Sequence, residues 1–164
     1  MKNNIGQVGS KFFADCMLGR LARWLRAVGL DTLYERAIDD DELLRRCRQS
    51  GRVLLTRDTE LTRRAERGGI GSLLIDSERA EEQLRQVIGH FGIEIDRERL
   101  FSRCTHCNCA VVEVPREEVE GRVPPFVFSS GKRFTRCPNC DKLYWRGTHR
   151  ERFLRHVFPD PNSQ

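Results

Sequence analysis

Two short cysteine pairs, Cys104-x-x-Cys107 and Cys137-x-x-Cys140, stand with 29 residues between them in a chain of 164. Together they offer four thiolates, the donor set of a closed tetrahedral zinc site, and such a site requires the chain to fold back so that the pairs meet. The intervening length exceeds a minimal finger and suits a small β-rich zinc ribbon carrying a loop. Four protein ligands leave no position for water, so this zinc is structural and any chemistry belongs elsewhere. Cys109 is a spare thiol, and His106 or His149 is a weaker substitute ligand. The competing reading, two disulfides, conflicts with seven cysteines, an odd number. It also conflicts with the polar start "MKNNIGQVGS", which has no apolar export signal.

Ahead of the cysteines the text changes character. From Lys11 to about Gly92, short β-like runs alternate with helical spacing, the pattern of a parallel sheet with crossover helices. Strands are predicted at Lys11 to Ala14, Thr32 to Glu35, Val53 to Thr56 and Ser72 to Ile75. Helical repeats run through Leu18, Leu21, Ala22, Leu25 and Val28, through Leu43, Leu44 and Cys47, and through Ala80, Leu84, Val87, Ile88 and Phe91. Gly29 is a C-terminal stop for the first helix. Apolar periodicity fades over residues 93–103. The predicted division is an N-terminal extension at 1–10 without order, an α/β domain at 11–100, a zinc ribbon at 101–156 and a flexible tail at 157–164.

Each predicted strand but the second is followed at once by, or within two residues of, an acid: Asp15, Asp58 and Asp76. A further run, Asp39 to Glu42, opens the second helix. Aspartate is a preferred N-cap, so each acid taken singly has a structural explanation. Topology supplies another, because in an open parallel sheet the C-terminal strand ends share one edge, where ligands bind. Asp15, Asp58 and Asp76, joined by an acid near Asp40, would then converge. Crowded carboxylates call for a cation, and hard oxygen donors suit Mg²⁺ or Mn²⁺, ions that activate water for phosphodiester hydrolysis. Thr56 and Arg57 flank Asp58, and Thr56 either assists there or only ends a strand. A haloacid-dehalogenase-like phosphatase is excluded because Cys16 and Met17 follow Asp15 and no D-x-D follows the strand.

The net charge of +5 is unevenly spread. Residues 1–100 hold 18 Lys and Arg against 17 acids, and residues 101–164 hold 11 against 7. The basic segment "GKRFTRCPNCDKLYWRGTHRERFLRH" interleaves cations with aromatics, which points to nucleic acid. Lys132, Arg133 and Arg136 are the candidate contacts there. Arg20, Arg23 and Arg26 lie off the first helix's apolar stripe and belong either to a solvated face or to a phosphate contact; Arg20 and Arg23 are carried as RNA-binding candidates. No apolar run is long enough to span a membrane, and the chain reads as soluble and cytoplasmic.

The stretches "FFADCMLGRLARWLRAVGLDTLY", "DDDELLRRC", "RVLLTRDTEL" and "EEQLRQVI", the two cysteine pairs and "YWRGTH" occur in series. In that order they resemble the Mut-seven C-terminal ribonuclease family, over about residues 11–156. The resemblance implies a PIN-like three-layer α/β/α sandwich with a parallel sheet, followed by a small β-rich zinc ribbon. It also implies metal-dependent RNA cleavage, with Asp15, Asp40, Asp58 and Asp76 as the catalytic acids. Asp15, Asp40 and Asp58 are the Mg²⁺ or Mn²⁺ ligands on this reading; Asp39 or Glu42 is the alternative to Asp40, and Asp76 is the most variable member. The competing functional class is a non-catalytic, zinc-ribbon adaptor for nucleic acid, whose acids only cap helices.

Overall fold

In the first strand, β1 (Phe12–Ala14), all three side chains are buried, as expected of a parallel strand covered on both faces. The computed structural model describes residues 11–158; the expected N-terminal extension and residues 159–164 of the expected tail lie outside the described residues. A 3₁₀ turn at Cys16–Leu18 leads into α1 (Gly19–Ala27), followed by β2 (Thr32–Tyr34) and α2 (Asp40–Ser50). Then come β3 (Val53–Thr56), α3 (Thr59–Arg67), β4 (Ser72–Leu74) and α4 (Ala80–Phe91). The four strands form a parallel sheet in the order β2-β1-β3-β4.

Side-chain alternation sorts the sheet into two cores. Phe12, Ala14, Val53 and Leu55 pack with Leu21 and Leu25 of α1 and with Leu84 and Val87 of α4. Phe13 and Leu54 point the other way, onto Leu43 and Cys47 of α2 and Leu61 and Ala65 of α3. The result is an α/β/α sandwich, the expected class. The unit β1-α1-β2 steps to one side of β1 and β3-α3-β4 steps to the other. The topological switch point therefore falls between the C-terminal ends of β1 and β3, the place where ligands bind in open α/β sheets.

Local chemistry sets the helix ends. Asp39 caps α2 by accepting from the Glu42 N–H at 3.0 Å, and Gly51, at φ 63°, closes it in the left-handed conformation that glycine adopts without strain. Gly29, at φ 87°, ends the turn after α1. A β-carbon there would stand 2.7 Å from the Arg99 carbonyl oxygen, so glycine lets residues 99–102 lie against the end of α1.

Beyond Leu100 the chain forms β5 (Val112–Val114), α5 (Pro125–Ser130), β6 (Phe134–Arg136) and β7 (Leu143–Trp145). These three strands make an antiparallel sheet over a small core of Val114, Val119, Val123, Val127 and Phe134. A last helix, α6 (Thr148–Val157), returns to the first core. Phe153 sets its ring 5.7 Å from Trp24 and 5.8 Å from Phe101, both edge-on. Val157, where the sequence reading starts a flexible tail, is fully buried in that core, because the apolar face of α6 finds its partners on α1 and α4 rather than in the ribbon.

Candidate functional site

Cys104, Cys107, Cys137 and Cys140 meet as the spacing predicts, with their sulfurs all within 4.8 Å of one another. The pairs Cys104–Cys140 and Cys107–Cys137 lie 3.5 and 3.3 Å apart, well beyond a disulfide bond of about 2.05 Å, and all the cysteines are free. Tetrahedral zinc with bonds of about 2.3 Å needs sulfurs roughly 3.8 Å apart, so the donor set fits that ion with a small expansion. Burial opposes ionisation of Cys107. The Cys109 backbone, Asn139 and Cys137 outweigh it and bring the thiol down to about 6. Within the same cluster Cys140 is pushed the other way: the Lys142 backbone favours its thiolate, but burial and the hydrogen bonds with Cys104, Cys137 and Cys107 outweigh it and bring the thiol up to about 12. The side chain of His149, a substitute ligand on the sequence reading, lies outside the described residues.

The cysteine cluster is bound to the α/β sandwich by polar contacts that sequence reasoning missed. Arg26, read from sequence as solvated or phosphate-facing, is 4% exposed. It lies at the end of α1, where the ribbon covers it. Its Nε donates to the Thr32 carbonyl at 2.8 Å, and its Nη1 donates to the carbonyls of Thr105 and His106 at 3.2 and 2.8 Å. Asn108, in the left-handed region at φ 69°, accepts from the Thr32 N–H at 3.0 Å and donates to Asp31 at 2.7 Å. Asp31 in turn receives both Nη atoms of Arg52 at 2.8 and 3.2 Å. The first cysteine loop is thereby fixed to the N-terminal edge of the sheet, opposite the edge that carries the acids.

At that acid edge Asp15 is buried, 5% exposed. Its Oδ1 accepts from the Cys16 N–H at 2.6 Å, which caps the 3₁₀ turn, and its Oδ2 accepts from the Thr56 hydroxyl at 2.7 Å. The same Thr56 oxygen accepts the Asp58 N–H at 3.0 Å. Thr56 is fully buried and joins the ends of β1 and β3 through one hydroxyl. Asp58 caps α3, its Oδ1 accepting from Glu60 and Leu61 at 2.8 and 2.9 Å, and is otherwise exposed. Tyr34, from the end of β2, donates to the Cys16 carbonyl at 2.9 Å and holds the same loop from its other side.

The outer acids are each engaged locally. Asp40 pairs with Arg64 of α3 at 3.0 Å, as does its neighbour Asp41. It nonetheless lies close enough to the loop after β1 that the Cys16 thiol, raised first by desolvation and next by Asp15, is also raised by Asp40. Asp76 is held by Gln86, whose amide receives its N–H at 3.1 Å and donates to its carboxylate at 2.9 Å. Among the described residues, the four cysteines are the only group of three or more His, Cys, Asp or Glu side chains with every ligand atom within 4.8 Å. Asp15, Asp40 and Asp58 therefore share an edge without forming so tight a cluster.

Of the nucleic-acid candidates, Arg133 is ion-paired with Glu113 at 3.0 Å, and Arg136 lies 3.6 Å from both Glu118 and Asp141. Much of the ribbon's cationic charge is thus neutralised internally. Lys132 is exposed, as are Arg20 and Arg23, and neither arginine is ion-paired among the described residues. No described helix is long and apolar enough to cross a membrane.

A family model described as the Mut7-C RNAse domain matches residues 10–157, which takes in the sandwich, the cysteine cluster and α6 together. The chain is also similar to the human protein named "Exonuclease mut-7 homolog", with 38% identity over 101 residues. That match covers 58% of this chain and 11% of the human protein, so the chain corresponds to a small part of it. No solved structure matches the chain.

Proposed function

Because the chain belongs to the Mut7-C RNAse domain family, we propose that it is a metal-dependent ribonuclease of PIN-like type, working at the acid edge, with the zinc ribbon as a structural element beside it. Both matches point to nuclease-type function. The observation that carries the finer reading is the link from buried Asp15 through Thr56 to Asp58 across the switch point of the sheet. A fully buried hydroxyl that orients one carboxylate while fixing the loop of another is how a constellation is held rigid for chemistry.

The hard oxygen donors fit Mg²⁺ or Mn²⁺. Such an ion keeps several waters and takes one or two carboxylates plus substrate phosphate, so it does not require a closely packed trio of acids, which the described residues do not form. Asp15 and Asp58 are its holders, with Asp40 and Asp76 as outer acids that attract the ion. When bound, the ion supplies an activated water and neutralises charge on the phosphate. Thr56 keeps the Asp15 carboxylate oriented by donating to it. Arg64 tethers Asp40 and keeps α2 and α3 side by side at the rim.

The adaptor reading rests on a specific observation too, since each acid already has a local partner as a cap, an ion pair or an amide contact. One experiment separates the two readings: cleavage of labelled single-stranded RNA with Mg²⁺ or Mn²⁺, with and without a chelator, by the parent chain, Asp15→Asn and Asp58→Asn. The ribonuclease reading expects chelator-sensitive cleavage that both changes abolish. Melting temperatures should stay near that of the parent, because asparagine caps about as well as aspartate. A parent chain that leaves RNA intact, or variants that cleave as it does, would establish the adaptor reading.

A further inference from the structure

Two neighbouring helices carry cations without an ion-pair partner. Among the described residues Arg20 and Arg23 of α1, and Arg150, Arg152 and Arg155 of α6, make no ion pair; in the ribbon Arg133, Arg136 and Arg146 are paired, while Arg116, Lys132 and Lys142 are not. The two helices that carry them lie side by side, joined where Trp24 meets His156 at 5.9 Å and Phe153 at 5.7 Å. They run in opposite directions. α1 starts at the acid edge, just after Asp15, and ends where the Ala27 carbonyl receives the Phe101 N–H. α6 starts beside the ribbon, passes Phe101 at Phe153, and near its end pairs His156 with Glu81 in the first turn of α4, back at the acid edge.

Helical geometry then places the arginines. Arg20 stands four residues before Trp24, and Arg152 four residues before His156. Each is therefore one turn, about 6 Å, from the touching rings and on the same helix face as its ring. Because the helices are antiparallel, Arg20 lies on the acid-edge side of the ring contact and Arg152 on the ribbon side. At the ribbon end a cleft of about 320 Å³ opens between Phe101 and the outer face of β6 and β7, where Thr135 and Tyr144 line it. Arg150 enters it half-buried, and Arg146, paired with Glu98 at 2.8 Å, stands at its side. Burial, and then the like charge of Arg146, hold Arg150 below its usual range, against the opposing pull of Glu98 and Asp96.

We propose that a single strand of RNA lies along the seam between α1 and α6, entering at the cleft beside Arg150 and reaching the acid edge past Arg152, Trp24 and Arg20. The strand's phosphates meet the arginines, and its bases find aromatic surface at Tyr144 and Phe101 in the cleft and at Trp24 midway. The identity of the ligand rests on the ribonuclease reading above; the path rests on the placement of these residues. Substrate binding thus uses two helices packed on the sandwich core as well as the ribbon wall of the cleft, where Arg133 and Arg146 also stand, and it bridges the two edges of the sheet.

The test measures binding rather than cleavage. Fluorescence anisotropy of labelled single-stranded RNA is recorded on the full zinc-loaded chain with Mg²⁺ and Mn²⁺ omitted, over a salt series. Arg20→Gln and Arg152→Gln should each weaken binding several-fold and reduce the salt slope by about 0.7 per lost phosphate contact. Arg63→Gln, on the opposite face of the sheet, should leave both unchanged. In a Trp145→Phe chain, where Trp24 is the sole tryptophan, RNA should quench its emission. Unchanged affinity and slope in folded Arg20→Gln and Arg152→Gln would overturn the path, as would unquenched Trp24, or displacement of RNA by polyglutamate of equal charge as readily as by unlabelled RNA. Binding that follows the arginines in a chain that never cleaves RNA would retain the path and defeat the ribonuclease reading. Cleavage with binding indifferent to them would do the reverse.

Discussion

The guanidinium of Arg26 donates to the carbonyl oxygen of His106 at 2.8 Å, across 80 residues of chain and between the α/β sandwich and the first cysteine loop. It is buried, and it lies near enough to Cys104 and Cys107 that their thiolates favour its charged form, against a larger cost of burial. A zinc tetrathiolate carries net negative charge, and a fixed cation beside it offsets part of that charge. The ribbon and the sandwich are thus joined at the cysteine cluster itself.

Zinc removal should therefore weaken the whole chain. With a strong chelator, or with Cys137→Ser, the expected outcome is loss of bound zinc and a lower melting temperature for the α/β sandwich as well as the ribbon, followed by circular dichroism. Arg26→Gln should act from the other side. It leaves the buried Thr32 carbonyl and the part-buried carbonyls of Thr105 and His106 short of a charged donor, at a cost on the order of 2 to 3 kcal/mol, and should lower zinc affinity measured by competition with a chromogenic chelator. A sandwich transition indifferent to zinc would contradict the coupling.

Thr56→Val keeps the β-branched shape at the end of β3 but removes the hydroxyl between Asp15 and Asp58. The buried Asp15 oxygen and the Asp58 N–H then each lose a partner, which should cost about 1 to 3 kcal/mol by chemical denaturation. RNA cleavage should fall while RNA binding, measured without divalent ions, stays near that of the parent chain. Thr56→Ser should restore the cleavage, which a purely steric role for the residue would not explain.

Asp31 gives a pH dependence with a defined sign. Burial raises its pKa, but the hydrogen bonds from Arg52 and Asn108 and the charges of Arg52 and Arg103 outweigh that and hold it below the ordinary value. The folded pKa is thus lower than the unfolded one, about 3.9. The carboxylate's contribution is fully present above that value and is lost as the pH falls through the lower, folded pKa. Asp31→Asn should be less stable than the parent at neutral pH, and the gap in urea midpoint should narrow only below about pH 4. A gap that closes already between pH 7 and 5 would show that Asp31 is not the group responsible.

Much of the architecture was legible because its causes are local. The strand at Val53 to Thr56 is observed with the expected bounds, and the other three differ by one residue at an end. A short apolar run without alternation, bounded by turn residues, fits a strand covered on both faces, and an Asp at or just after its end marks where a helical turn begins. The cysteine cluster was legible for a similar reason, since two C-x-x-C turns can saturate one ion, and among the described residues no other such group gathers. What those signals could not carry is the choice of partner across distance. Thr56 reaches Asp15 over 41 residues, Asn108 reaches Thr32 over 76 and Arg26 reaches His106 over 80. In sequence Arg26 is indistinguishable from Arg20 and Arg23, three arginines off an apolar stripe. Only the docking of the ribbon buries one of them and leaves the other two in solvent, because a side chain's periodicity fixes the face of the helix it occupies and the rest of the chain decides what covers that face.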